Sequence, residues 1–138
     1  MSVRQQFVEA VLSRDLDALT SLLSRDVHVF SPTLFRPFEG RDTARLVLGA
    51  VLEVIKEMRY VGELAGEITE PEADSDTVHG LLFRGRAGDR EIHGIDLLQC
   101  DDDGRISTLT IMVRPLSGLT ALKDAMTAAL ATPSGGTR

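Results

Sequence analysis

Residues 91–100 read EIHGIDLLQC, a strand-like apolar run with one carboxylate, Asp96, set between Ile95 and Leu97. An ionised carboxylate is costly to bury. A chain that places one in such a run either satisfies it with partners or keeps it as an acid whose proton is held to unusually high pH. The second case is the chemistry of a general acid or base, or of a carboxylic acid that donates to a developing oxyanion. Few other groups can share this work: His28, His79 and His93, the single tyrosine Tyr60, and the single cysteine Cys100. An imidazole beside a carboxylate in an apolar pocket makes an acid/base pair, because low dielectric and mutual charge move both toward neutrality.

Competing signals are weaker. Cys100 has no second thiol for a disulfide or zinc cluster, and no Cys-His-Asn set accompanies it, so it reads as a small strand residue. The three histidines show no paired ligand spacing, so no metal is expected. DDDG at 101–104 lacks the alternating ligands and distal Glu of a calcium loop and reads as a hairpin turn. EPEADSD at 70–76 reads as a solvated loop. Arg84, Arg86, Arg90, Arg105 and Arg114 fall on adjacent strand segments with mixed parity and flanking carboxylates, which fits a solvated or dimer-facing surface better than an anion site. No glycine-rich loop joins a strand to a helix, so no cofactor of the nucleotide class is expected.

The chain has 138 residues, 43% hydrophobic and 26% charged, enough for one domain with one core. Its net charge of -6 disfavours nucleic acid and anionic membrane surfaces as partners. Charges interrupt every apolar stretch well short of a bilayer span, and MSVRQQFVEAV lacks the apolar core of a signal peptide, so a cytoplasmic location is expected.

Periodicity supplies the elements that must position these groups. Phe7, Val8, Val11 and Leu12, then Leu16, Leu19, Leu22 and Leu23, predict two short helices, with Asp15 able to cap the second. DVHVFSP predicts a strand over 27–31, and TLFRPFEGRD a loop. Asp42 can cap a third helix carrying Leu46, Val47, Ala50, Val51, Val54 and Ile55. Strands are predicted over 58–68, 77–87, 90–100 and 105–114, with tight turns at AGD and DDDG. Residues 116–131 predict a helix with Leu119, Leu122, Met126 and Leu130 as its stripe, and 132–138 a frayed tail. Helices followed by an antiparallel meander make an α+β order.

That order, with three stretches, resembles the nuclear transport factor 2-like superfamily and within it the SnoaL-like and ketosteroid-isomerase-like group. The stretches are FVEAVLSRDLDALTSLLSRDVHVFSP, PFEGRDTARLVL and GIDLLQCDDDGRISTLTIMVRP, and the likeness spans about residues 5–115. The resemblance implies a single domain over 1–131: a cone-shaped α+β fold with three N-terminal helices packed on a curved, mostly antiparallel sheet, plus a C-terminal helix. It also implies an apolar cavity and a homodimer formed through the outer face of the sheet. Activities in the group include isomerases, cyclases, epoxide hydrolases and dehydratases, alongside non-catalytic binding modules, so the fold alone decides little.

Matched to the ketosteroid isomerases, Asp96 falls on the carboxylic acid that donates to the oxyanion. The general-base position holds Ser31 and the tyrosine position Phe7. Serine is not acidic enough to serve as the carbon base and phenylalanine cannot donate, so ketosteroid isomerisation by that route is disfavoured. The arginine that epoxide hydrolases place two positions before the carboxylate is Gly94 here. If Asp96 points inward, strand alternation takes Ile92, Gly94, Leu98 and Cys100 with it. The family match adds His79, Leu81 and Phe83 on the neighbouring strand and Ser107, Leu109, Ile111 and Val113 on the last. Tyr60 joins them if the face carrying Met58, Tyr60 and Leu64 is the inner one.

Asp96 and His79 are therefore the candidate catalytic pair. Phe7, Ser31, Tyr60, Leu81, Phe83, Leu98, Leu109, Ile111 and Val113 are the candidate ligand-binding set. Ile95, Leu97, Ile106, Thr108, Thr110 and Met112 are left on an outer face that a second copy would cover. The expected function is binding of a small, mostly apolar metabolite, with acid/base isomerisation, cyclisation or hydration as its chemistry. The competing expectation is a non-catalytic dimeric binding or assembly module with a vestigial pocket.

Overall fold

The computed structural model describes residues 1–70 and 77–131; most of the expected loop over 70–76 and the expected tail 132–138 lie outside the described residues. The elements run α1 (Val3–Leu12), α2 (Leu16–Ser21), β1 (Leu23–Phe30), β2 (Phe38–Glu39), α3 (Arg41–Val54), β3 (Ile55–Glu67), β4 (Thr77–Ala87), β5 (Arg90–Cys100), β6 (Ile106–Arg114) and α4 (Leu116–Ala131).

Local chemistry sets the helix ends. Ser2 and Gln5 form a capping box on α1: the Ser2 hydroxyl accepts the Gln5 amide at 3.2 Å and the Gln5 side chain accepts the Ser2 amide at 2.9 Å. Asp15 caps α2 as expected, accepting the Ala18 amide at 3.0 Å. Asp42 does not cap α3. The chain enters that helix from Gly40 at φ 93, and Asp42 lies inside the first turn, where its charge faces the positive end of the helix dipole. Leu22 and Leu23, expected in the second helix, instead leave it: the Leu22 carbonyl accepts the Ile106 amide at 2.8 Å, and Leu23 opens β1. Arg14, in the left-handed region at φ 57, turns the chain between α1 and α2. Its guanidinium donates to the Leu52 carbonyl and, at 3.1 Å, to that of Ile55, which locks this corner to the end of α3.

The six strands form one mixed sheet in the order β2-β1-β6-β5-β4-β3, antiparallel except where β1 runs beside β6. β2, a two-residue strand inside the expected loop, pairs His28 with Glu39 and Val29 with Phe38. β3 starts at Ile55, directly from α3. The DDDG run is a hairpin turn, with Asp101 Oδ1 accepting the amides of Asp103 at 2.9 Å and Arg105 at 3.0 Å and Gly104 at φ 80. Register shifts fall between Lys56 and Arg59, between Tyr60 and Gly62, and across Gln99–Cys100 opposite Ile106–Thr108. Each inserts an unpaired residue, which bends the strand and reverses the alternation beyond it.

The core lies between the concave face of the sheet and the helices, with Phe7, Leu19, Val29, Leu48, Phe83 and Leu122 among its members. Ile106, expected on the outer face, is fully buried there, because the extra residue on β6 lets Ile106 and Leu109 face the same side. Ser107 is correspondingly turned aside, and its hydroxyl donates to the Gln99 carbonyl at 3.2 Å. α4 packs on α3 and reaches the sheet where Gly118 meets β5. A Cβ on Gly118 would lie 2.7 Å from both the Glu91 carbonyl oxygen and Ile92 Cγ2, so only glycine allows this approach. No helix among the described residues is long and apolar enough to cross a membrane.

Candidate functional site

Three rungs of the sheet carry the site. On the first, Tyr60, Phe83, Gly94 and Val113 are successive partners from β3 to β6; on the second, Glu63, Leu81, Asp96 and Ile111; on the third, Ala65, His79, Leu98 and Leu109. Directly paired residues project on the same face. Asp96 is therefore on the core side, where it is 5% exposed, and its neighbours Leu81 and Ile111 are buried too.

The Tyr60 hydroxyl donates to Asp96 Oδ2 at 2.8 Å. The extra residue at Val61 makes this contact possible, since Tyr60 faces inward before it and Glu63 after it, while Leu64 turns out. Leu64, expected on the face of Tyr60, is 54% exposed and lies beside Ile95 and Leu97 on the outer surface. The Tyr60 ring is braced edge-on by Phe83, with centroids 6.3 Å apart and planes at 80°. Phe83 in turn lies across Gly94. A Cβ on Gly94 would stand 2.5 Å from Phe83 Cζ and 2.3 Å from the Met112 carbonyl oxygen. The absent arginine at this position thus has a structural reason: any side chain there displaces the ring that positions the phenol.

Burial is the main force on the carboxyl. It raises the Asp96 pKa to about 7, against the hydrogen bond from Tyr60, which favours the ionised form and pulls it down. The Tyr60 phenol is pushed well above its ordinary range, first by burial, then by the Asp96 charge and by donating its proton to that carboxylate. Near neutrality Asp96 thus exists in both forms. It can give a proton or a hydrogen bond to a carbonyl oxygen, or accept a proton from carbon or water.

The other expected site residues divide clearly. Leu81, Phe83, Leu98, Leu109 and Ile111 are buried with Asp96 on the core face, and Val113 is half-buried at its margin. Phe7 is 2% exposed and belongs to the core. Ser31 is occupied locally, its hydroxyl accepting the Leu34 amide at 3.3 Å. His79 is half-buried and diagonal to Asp96 across β4 and β5; its Nδ1 is buried with no hydrogen-bond partner among the described residues. The alternation argument missed Glu63, which shares the Asp96 rung and meets Arg4 of α1 at 3.5 Å. The one available signal was the glycine within the strand pattern, Gly62, beside the bulge. Among the described residues no group of three His, Cys, Asp or Glu side chains gathers to hold a metal.

The raised pKa has a thermodynamic consequence. Between about pH 4, where an unfolded Asp titrates, and about pH 7, the folded chain binds more protons than the unfolded one, so stability falls as pH rises through that window. The loss levels off above pH 7 at roughly 4 kcal/mol. Asp96→Asn keeps an acceptor for Tyr60 and removes the charge. Thermal melts from pH 4 to 9 are expected to show the variant several degrees more stable than wild type near pH 8 and similar to it near pH 4. Parallel curves would place the Asp96 titration elsewhere.

Comparison with known proteins agrees with this architecture. A family model described as a SnoaL-like domain matches residues 4–109. A steroid delta-isomerase from Pseudomonas aeruginosa is 35% identical, with a TM-score of 0.83 over 94% of this chain and 89% of that one. A bacterial protein with a cystatin-like fold from Silicibacter pomeroyi DSS-3 is 28% identical, with a TM-score of 0.83 over 96% and 87%. A nuclear transport factor 2-like protein of unknown function from Exiguobacterium sp. 255-15 shares the fold at 17% identity and a TM-score of 0.59, over 82% of this chain and 98% of that one. No curated protein is similar enough in sequence to count as a relative. With the match covering most of its length and the cone built as the sequence led one to expect, the chain belongs to the SnoaL-like family.

Proposed function

We propose that the protein binds a small, mostly apolar molecule against the concave face of its sheet, in the cytoplasm, and that Asp96 moves a proton on it in an isomerisation, cyclisation or hydration. The observation that carries this reading is a carboxyl 5% exposed, ionising near neutrality, with a single phenol holding one of its oxygens. A buried acid that served only packing would be replaced at little cost by an apolar residue. The likeness to a steroid delta-isomerase supports proton-transfer chemistry in the same fold. The departures at Ser31 and Phe7 put the work on Asp96 itself. The Ser31 hydroxyl accepts the Leu34 amide and Phe7 packs in the core, so neither takes the place of a carboxylate base.

The test begins with a thermal-shift screen of sterol-like, terpenoid and polyketide compounds on the wild-type chain. Asp96→Asn is expected to weaken any hit at least about tenfold while remaining folded. Unchanged binding by that variant would assign the carboxyl to structure and favour the non-catalytic module. Tyr60→Phe removes the interaction that holds the Asp96 pKa down, so the midpoint of the pH profile for binding or turnover is expected to move to higher pH. A profile that stays in place would separate the phenol from the reacting acid.

The assembly proposed with this reading is a homodimer through the convex face of the sheet. Leu64 and Met112 are each 54% exposed there, and a hollow of about 310 Å³ lined by Leu82, His93, Ile95, Met112 and Arg114, with Gly94 and Val113, lies on the same side. Light scattering is expected to give twice the 15.0 kDa chain mass, and Ile95→Asp with Met112→Lys to return it to one. A wild-type monomer would refute the assembly.

A further inference from the structure

On two of the three rungs burial on the concave face rises from β3 inward. On the third rung Ala65 is exposed, His79 is half-buried, and Leu98 and Leu109 are closed off. The Asp96 rung behaves alike, from exposed Glu63 to buried Leu81 and Asp96. His79 thus stands nearer the exposed β3 edge than Leu98 does, on the same face as the Asp96 carboxyl. His79 pairs with Leu98 on the concave face, and its Nδ1 is buried with no hydrogen-bond partner among the described residues. An imidazole nitrogen shut away from water without a partner costs free energy, and such groups persist where a ligand atom meets them.

We infer that His79 is a second polar anchor for the ligand, so that the ligand is an apolar molecule bearing two oxygen functions a few carbons apart. One is a carbonyl oxygen at Asp96 Oδ1, the carboxyl oxygen left over by Tyr60; the other is a hydroxyl or second carbonyl at His79 Nδ1. The spacing follows from the sheet. His79 pairs with Leu98 and Leu81 with Asp96, so His79 and Asp96 are diagonal neighbours on one face, roughly 7 to 8 Å apart at the backbone and somewhat less between Cβ atoms. An imidazole suits either kind of oxygen, because its Nδ1 donates in one tautomer and accepts in the other. A simple monofunctional hydrocarbon ketone would leave this nitrogen unpaired, and the pocket would discriminate against it for that reason.

The inference rests on the proposed function, and the experiment separates the two. Methyl hexyl ketone and its β-hydroxy derivative are titrated into the wild-type chain and followed by NMR shifts of the β4 and β5 amides. The hydroxy ketone is expected to bind about five- to tenfold more tightly than the plain ketone. His79→Leu is expected to remove that preference. His79→Asn, whose amide reaches the place of Nδ1, is expected to restore part of it, which excludes a merely structural role. Asp96→Leu is expected to weaken both probes. Equal binding of the two ketones by the wild type, or a preference kept in His79→Leu, overturns the second anchor while leaving Asp96 in place. Failure of both ketones to bind, or indifference to Asp96→Leu, overturns the proposed function and the anchor with it.

Discussion

The hydrogen bond from Tyr60 to Asp96 governs the structure around it. A carboxyl this deep in the fold must either give up its charge or keep a partner, and here it does part of each: burial holds the proton on until about pH 7, and the phenol steadies the ionised form when the proton leaves. The neighbouring packing serves that contact. Phe83 fixes the Tyr60 ring, Gly94 leaves room for Phe83, and the irregular register of β3 turns Tyr60 toward β5. Remove any of these and the carboxyl loses its one side-chain donor among the described residues.

The same arrangement explains why the chain tolerates a costly group. Asp96 sits in the middle of the sheet, flanked by Leu81 and Ile111, where an apolar residue would pack with less penalty. The carboxyl thus costs stability in the sheet, and the helices offset that cost elsewhere. The capping box on α1, the Asp15 cap on α2 and the Arg14 guanidinium on the α3 carbonyls hold the helical layer in register over the sheet. Against that fixed layer the β3 edge stays open, joined to α1 at the Arg4–Glu63 contact.

The order of elements was legible from the sequence because it rests on periodicity and on turn chemistry that act locally. Asp15, the AGD and DDDG turns and the long β4 to β6 meander follow from such rules. The inward direction of Asp96 was what the family resemblance implied, and alternation on an unbroken stretch of β5 took Ile92 and Leu98 with it. What was not legible came from register. One extra residue near Val61 exchanged Leu64 for Glu63, and one on β6 exchanged Ser107 for Ile106, since a shift of a single position moves every later side chain to the opposite face. Leu22 and Leu23 fitted a helical stripe and were claimed by the sheet through the Ile106 amide, a partner distant in the chain. The Tyr60 contact lay in between, because a lone tyrosine on a strand names its chemistry but not the face it takes.

Burial lets the Asp96 carboxyl change charge near neutrality. Its side-chain carboxyl carbon can be followed by NMR across a pH titration of the folded protein. The expected midpoint is at about 7. A midpoint near 4, the value of an ordinary exposed aspartate, would contradict it.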